Sequence, residues 1–196
     1  MDRALYLWFN HLADRTAWAH GLARFYADGG IVLLALLTIA AAVDARRRDR
    51  LTQLAGAVWT AVAAIVALGL GQIVGAVVHR PRPYAVLTNV HLLVSRTTDS
   101  SLPSDHAIVA GAVAAGLLVS ARRWGGVALA AAFAMAVTRV YVGAHYPGDV
   151  LAGLVLGAVV AVGLGQIIVP WFVSILERLQ RTFIRPLVSS SRSAQV

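Results

Sequence analysis

No cysteine occurs in the 196 residues, and no lysine either. The first absence removes disulfides, thiolate metal sites and thiol catalysis. The second makes all seventeen basic residues arginine. Charge of either sign is scarce: Asp, Glu, Lys and Arg together form 13% of the chain, where a soluble domain carries about 25%. Against this, 59% of residues are apolar and the mean hydropathy is +0.72. One domain of this length cannot readily hide so much apolar sequence in a water-soluble core, and the bilayer is its natural solvent.

The formal charge of +8 does not indicate nucleic acid. A nucleic-acid binder gathers its charge on one face, often with interleaved aromatics. Here the arginines stand in short clusters between apolar runs, the pattern of membrane topology. Nor does the N-terminus read as a cleavable signal, because its first long apolar run begins only near Ile31, behind Trp8, Asp14, Arg15, Trp18 and Arg24.

Residues 1–28 alternate apolar and polar groups. They suit one or two amphipathic helices at the interface, with tryptophans at headgroup depth; a packed helical pair fits as well. A membrane core is expected over 29–178 and a basic, flexible tail over 179–196. Within the core, five spans are predicted at 26–43, 51–78, 104–121, 124–142 and 150–176. The expected fold is all-α, a bundle of about six helices. Gly71/Gly75 and Gly153/Gly157 stand at four-residue spacing and suit close helix packing in lipid.

With five spans, Arg46, Arg47, Arg48 and Arg50 share one side with Arg122, Arg123 and the tail arginines Arg178, Arg181, Arg185 and Arg192. The positive-inside rule makes that side cytoplasmic, together with the C-terminus. Residues 79–103 and 143–149 then face outward, with the N-terminal segment. The wealth of arginine and alanine suggests a bacterial source, hence a bacterial cell membrane.

Three polar clusters interrupt the apolar pattern on that outer side: His79-Arg80-Pro81-Arg82-Pro83-Tyr84, then Pro103-Ser104-Asp105-His106, then Thr138-Arg139 through His145 to Asp149. Each has a plain structural explanation. Flanking arginines can snorkel to the interface, Ser104 can cap a helix, and Pro147 can open one. Yet ionisable groups at membrane depth are costly, so their convergence on one side points to chemistry. The connection 85–101 is long enough to act as a lid or binding element.

Together the clusters resemble the type 2 phosphatidic acid phosphatase family. Its pattern runs lysine, six residues, Arg-Pro; then Pro-Ser-Gly-His; then Ser-Arg, five residues, His, three residues, Asp. Arg82-Pro83, Pro103-Ser104-Asp105-His106 and Thr138-Arg139…His145…Asp149 match in order and internal spacing. Three departures stand out: Gly75 occupies the lysine position, Asp105 the glycine position and Thr138 the serine position. The first two, with the segments 100–106 and 143–147, resemble the bacterial undecaprenyl-diphosphate phosphatase branch.

The resemblance implies a core similar to the chloroperoxidases and a histidine mechanism without cofactor or metal. His145 would attack phosphorus and form a phosphohistidine. Asp149 would accept the other ring N–H and fix its tautomer. His106 would protonate the leaving oxygen and later activate water. Arg82 and Arg139 would grip the phosphoryl oxygens, helped by Ser104 at a helix N-terminus. Arg80 is the candidate to replace the absent lysine, with Asp105, Thr138 and Tyr84 as accessory groups. A cation shared by Asp105 and Asp149 is disfavoured by the surrounding arginines.

The expected substrate is a polyprenyl diphosphate, cleaved to the monophosphate to recycle a lipid carrier for cell-wall synthesis. Phosphatidylglycerophosphate and a polyprenyl-phosphosugar are the competing substrates. From another class, a small transporter would need polar residues at mid-span and internal repeats. The span centres are apolar and no repeat is found. Membrane lipids are the other expected partners; a homo-oligomer is left open.

Overall fold

A computed structural model describes residues 1–180; beyond Arg178 and its two neighbours, the expected basic tail lies outside the described residues. Every regular element among them is helical: α1 (Asp2–Arg15), a 3-10 turn (Ala17–Ala19), α2 (His20–Arg47), α3 (Leu51–Val78), the short α4 (Pro83–Val86), α5 (Asp105–Ser120), α6 (Arg122–Tyr141), α7 (Pro147–Val159) and α8 (Gly165–Leu179). A π-helical turn at Val160–Leu164 joins α7 to α8, so the pair runs as one rod.

Among the described residues, four stretches are long and apolar enough to cross a bilayer: Ala17–Arg47, Leu51–Val86, Arg122–Tyr141 and Pro147–Leu179. The remaining expected span, α5, has 16 residues, about 24 Å of rise. It is the hub, packed against α3, α6 and α7 and burying Ala107 through Ala114 with Gly116 and Leu117. A helix wrapped by its neighbours need not match the full thickness of the lipid itself. Outward-facing Ile65, Ile73, Val77, Phe133, Leu151 and Ile167 give the outer helices the apolar exterior that lipid requires.

The expected break between an interfacial segment and the core, at 28/29, falls inside α2, which continues unbroken from His20. Only α1 is a separate helix. It lays Tyr6, Asn10 and Ala13 onto the bundle while Leu5 and Trp8 remain exposed. At the opposite end, Arg48, Arg50, Arg122 and Arg123 converge around one cavity, and Leu176 and Leu179 of α8 pack near Ala45 and Leu54. Among the described residues, the arginines of the first and third connections therefore share one end of the bundle.

Small residues make the α5–α7 contact. A Cβ on Gly157 would strike the Ile108 carbonyl, one on Gly153 the Ser104 carbonyl, and one on Gly111 the Leu154 carbonyl. Backbone meets backbone at each point, so no side chain can swing aside. Without a hydrophobic drive between helices in lipid, such close approach supplies the van der Waals attraction that holds them. Gly157→Val should therefore cost roughly 1–3 kcal/mol, seen as a lowered unfolding temperature in detergent. An unchanged temperature would show that the two helices separate at no cost.

Candidate active site

The site forms where α5 and α7 begin. The Ser104 N–H donates to the Asp149 carbonyl at 3.1 Å, which sets two helix N-termini side by side and adds their positive dipole ends to the local field. Pro147 occupies the first turn of α7, where its missing N–H costs nothing. Ser104 holds the N-cap position of α5, yet its hydroxyl makes no capping bond. It is fully buried and its Oγ has no partner among the described residues.

His145 lies in the turn between α6 and α7. Gly143 shapes that turn with φ of +80°, and a Cβ there would meet the His91 carbonyl. The Tyr6 hydroxyl donates to the Gly143 carbonyl at 3.2 Å, and Leu93 N–H to the Val142 carbonyl at 2.9 Å. Thus α1 and the 87–103 loop both clamp the turn.

The ring of His145 is 2% exposed. Its Nδ1 stands 2.8 Å from the Ser101 carbonyl, which can only accept. Its Nε2 stands 3.2 Å from a terminal nitrogen of Arg82, which can only donate. These two neighbours fix the tautomer: Nδ1 carries the proton and Nε2 the lone pair. Burial, then the charges of Arg82 and Arg139, hold the imidazolium pKa well below the ordinary value. The ring is a neutral base with its lone pair toward the arginines.

Asp149 does not accept from His145 as expected. It sits in the first turn of α7 and folds back on its own helix start, where Oδ2 accepts the Tyr146 N–H at 3.0 Å. The same oxygen takes the Ser101 hydroxyl at 2.5 Å, and Oδ1 takes Arg80 at 2.6 Å. Ser101 stands between the carboxylate and the imidazole, its hydroxyl on one and its carbonyl on the other. Arg80 is likewise redirected. Its second terminal nitrogen pairs with Asp2 at 2.6 Å, and its guanidinium lies over the Tyr146 ring at 4.4 Å. With both terminal nitrogens on carboxylates, Arg80 ties Asp149 to Asp2. Asp2 also accepts the Gly148 N–H at 2.8 Å, completing the latch of α1 onto the turn.

Arg82 and Arg139 are 8% and 7% exposed. Arg139 donates to the Ala27 carbonyl at 3.3 Å, while its Nε has no partner. Arg82 binds the Ala144 carbonyl and His145 through one nitrogen, and the Asp99 carboxylate through the other at 2.8 Å. Burial pushes Asp99 up, but hydrogen bonds from Thr97 and Arg82 outweigh it and hold the carboxyl below its usual range. His106, in the first turn of α5, is within electrostatic reach of Arg139 and Arg82.

The accessory candidates divide. Tyr84 accepts the Thr97 N–H at 3.0 Å and so pins the loop that carries Asp99. Asp105 takes both its bonds from Gln72 at 3.1 Å. Thr138 lines an apolar groove between α2 and α6 with Leu22, Tyr26 and Val137, outside the site. A cavity of about 610 Å³ opens between α3, the loop and α5, lined by Gly71, Gly75, Arg82, Asp99, Ser100 and Asp105 among others. His145 is not in its wall; it lies behind the Arg82 guanidinium.

The PAP2 superfamily profile matches residues 53–173, which include every one of these polar clusters. The chain belongs to the PAP2 superfamily. Among its relatives, the bacitracin transport permease protein BcrC of Bacillus licheniformis is 30% identical over 78% of this chain and 73% of its own. The undecaprenyl-diphosphatase BcrC of Bacillus subtilis is 28% identical over 82% and 80%. The decaprenylphosphoryl-5-phosphoribose phosphatase of Mycobacterium tuberculosis is 36% identical over 76% and 80%. The crystal structure of Aquifex aeolicus LpxE superposes with a TM-score of 0.57 at 22% identity, covering 82% of this chain and 92% of that one. This PAP2 protein therefore shares the all-helical membrane fold of LpxE.

Two groups of this PAP2 site escaped the sequence reading. Ser101 carried a signal only as part of the segment 100–106, and Asp2 carried none. Ser101→Ala should lower kcat about tenfold, the lower end of what orienting partners contribute, with KM little changed. Loss of His145 function by protonation should occur well below pH 6.5, because the lone pair survives until pH falls through the depressed pKa. A pH profile of phosphohistidine formation checks this; an acid limb centred at or above 6.5 would contradict the neutral, arginine-flanked ring.

Proposed function

We propose that this membrane phosphatase hydrolyses a polyprenyl diphosphate to the monophosphate through a phosphohistidine on His145. One observation carries the reading: a buried imidazole with a fixed lone pair is accompanied by donors in need of an acceptor. Ser104 Oγ and Arg139 Nε are buried without partners, a state that costs about 1–3 kcal/mol per group. Arg82 holds a carboxylate, Asp99, that resembles a phosphoryl oxygen pair in charge and spacing. A phosphoryl group would satisfy all three at once.

In the first step, Nε2 of His145 attacks the terminal phosphorus. The bond from phosphorus to the bridging oxygen breaks, and the polyprenyl monophosphate leaves with a proton from His106. Arg82 and Arg139 neutralise charge on the equatorial oxygens. In the second step, water attacks the phosphohistidine and gives a proton to His106; the P–N bond breaks and phosphate departs. Asp149 acts at one remove. Through Ser101 it holds the carbonyl that keeps Nδ1 protonated, and through Arg80 it holds α1 against the turn.

The diphosphate is favoured by similarity to the undecaprenyl-diphosphatase of Bacillus subtilis and by Gly75, which leaves the cavity wall open where the family's lysine would stand. The arginine-rich end supports an orientation with the site outside a bacterial cell membrane and α8 ending inside. The Mycobacterium tuberculosis relative brings in a phosphosugar monoester as second substrate.

Phosphate release by purified protein in detergent with EDTA tests the proposal against a polyprenyl diphosphate, a polyprenyl-phosphosugar phosphate and phosphatidylglycerophosphate. The diphosphate should turn over fastest, with His145→Ala lowering kcat by at least a thousandfold. Asp99→Asn should lower KM severalfold, since substrate no longer displaces a carboxylate from Arg82. Faster release from another lipid would reassign the substrate, and turnover by the His145 variant would refute the nucleophile.

A further inference from the structure

We infer that the end of the bundle opposite the active site holds a separate binding site for a phosphorylated headgroup. A cavity of about 400 Å³ there is lined by Arg48, Arg50, Arg122, Arg123 and Trp124, with Asp44 and Gln53. Four cations face one anion. Asp44 is already committed to Arg48 at 2.9 Å and Arg123 at 3.4 Å. Arg50 and Arg122 have no ion-pair partner among the described residues.

The backbone adds charge of the same sign. α3 starts from Arg50 and α6 starts at Arg122-Arg123; neither has a side-chain cap or an acidic residue in its first turn. Cations at a helix N-terminus oppose the macrodipole. Topology alone asks only for arginines near this end. It does not ask that they converge on a cavity, or that they occupy the two positions in a helix where they are least welcome. An anion seated among them reverses each of these penalties.

The chemistry of the occupant follows from the walls. Planar guanidinium forks select phosphate, and the cavity lies at the ends of spanning helices, at headgroup depth. Val119, 71% exposed, forms part of the rim, and the Trp124 ring lies 5.2 Å below the Arg123 guanidinium. An apolar lip beside a cluster of exposed guanidinium groups fits an anionic phospholipid of the leaflet away from the active site; free phosphate offers the same charge without the acyl chains.

The test uses full-length protein in a neutral detergent, with unfolding temperature and native mass spectrometry as readouts. Dioctanoyl phosphatidylglycerol, dioctanoyl phosphatidylcholine and inorganic phosphate are added separately to wild type, to the double variant Arg50→Gln/Arg122→Gln, and to Arg139→Gln, which weakens anion binding at the active site only. Phosphatidylglycerol should raise the unfolding temperature of wild type and Arg139→Gln alike and give a one-to-one adduct. The double variant should bind it at least tenfold more weakly while its detergent-phase kcat matches wild type. An equal response to inorganic phosphate, also lost in the double variant, would support the site and make its ligand the free anion. Equal stabilisation by phosphatidylcholine, or adducts indifferent to Arg50 and Arg122, would overturn it. Arg50→Lys/Arg122→Lys serves if the glutamine pair fails to fold, and should retain part of the binding.

Discussion

The buried carboxylate of Asp149 is the interaction on which the rest of the site depends. It is fully shielded from solvent and accepts from Arg80, Ser101 and its own helix start at Tyr146. A charge held at the edge of a membrane bundle is tolerable only when its oxygens are satisfied. Satisfying them draws together four segments that are remote in sequence. Arg80 brings the end of α3, and through Asp2 it brings α1. Ser101 brings the loop that precedes α5, and the Asp149 carbonyl receives the first N–H of that helix region. The turn that carries His145 is thus built around one anion that reaches the imidazole only through Ser101.

Around this hub the electrostatics are divided between two kinds of arginine. Arg80 has its positive charge matched by Asp2 and Asp149 and serves as a structural tie. Arg82 and Arg139, nearly as buried as the core, face each other and the imidazole with less compensation. Burial first, and then their combined field, keeps His145 neutral, and that field favours negative charge. The exclusive use of arginine suits both roles, because a guanidinium keeps its charge when buried and binds two oxygens in a plane.

Much of this was legible in the sequence because the decisive features are local. A run of apolar residues reports a span, since lipid imposes that composition wherever the helix lies. Ser104 to His106 open one helix and Pro147 opens another, so fixed spacing conveys which helix starts carry the polar groups, but not that Ser101 stands between His145 and Asp149. Other features were not local. Asp2 reads as an ordinary interfacial acid, and only the packing of Tyr6, Asn10 and Ala13 carries it to Gly148. Thr138 is adjacent to Arg139, but a helix turns about 100° per residue, so one faces the α2–α6 groove and the other the site. The expected border at residue 28 lies inside α2, because the polar residues from His20 to Asp28 belong to one long helix.

By itself, then, the sequence determined a lipid-dwelling helical bundle, its arginine-rich end and the residue types available for phosphoryl transfer. These follow from composition, helical length and short-range spacing. Only the tertiary structure decided which groups meet: that Ser101 stands between His145 and Asp149, that Arg80 ties Asp2 to Asp149 while Arg82 reaches His145, and that α1 packs onto the turn. The reason is physical. Hydrogen bonds and ion pairs between distant segments depend on helix rotation and contact distance, and Gly153 and Gly157 set these through a backbone approach that no linear pattern records.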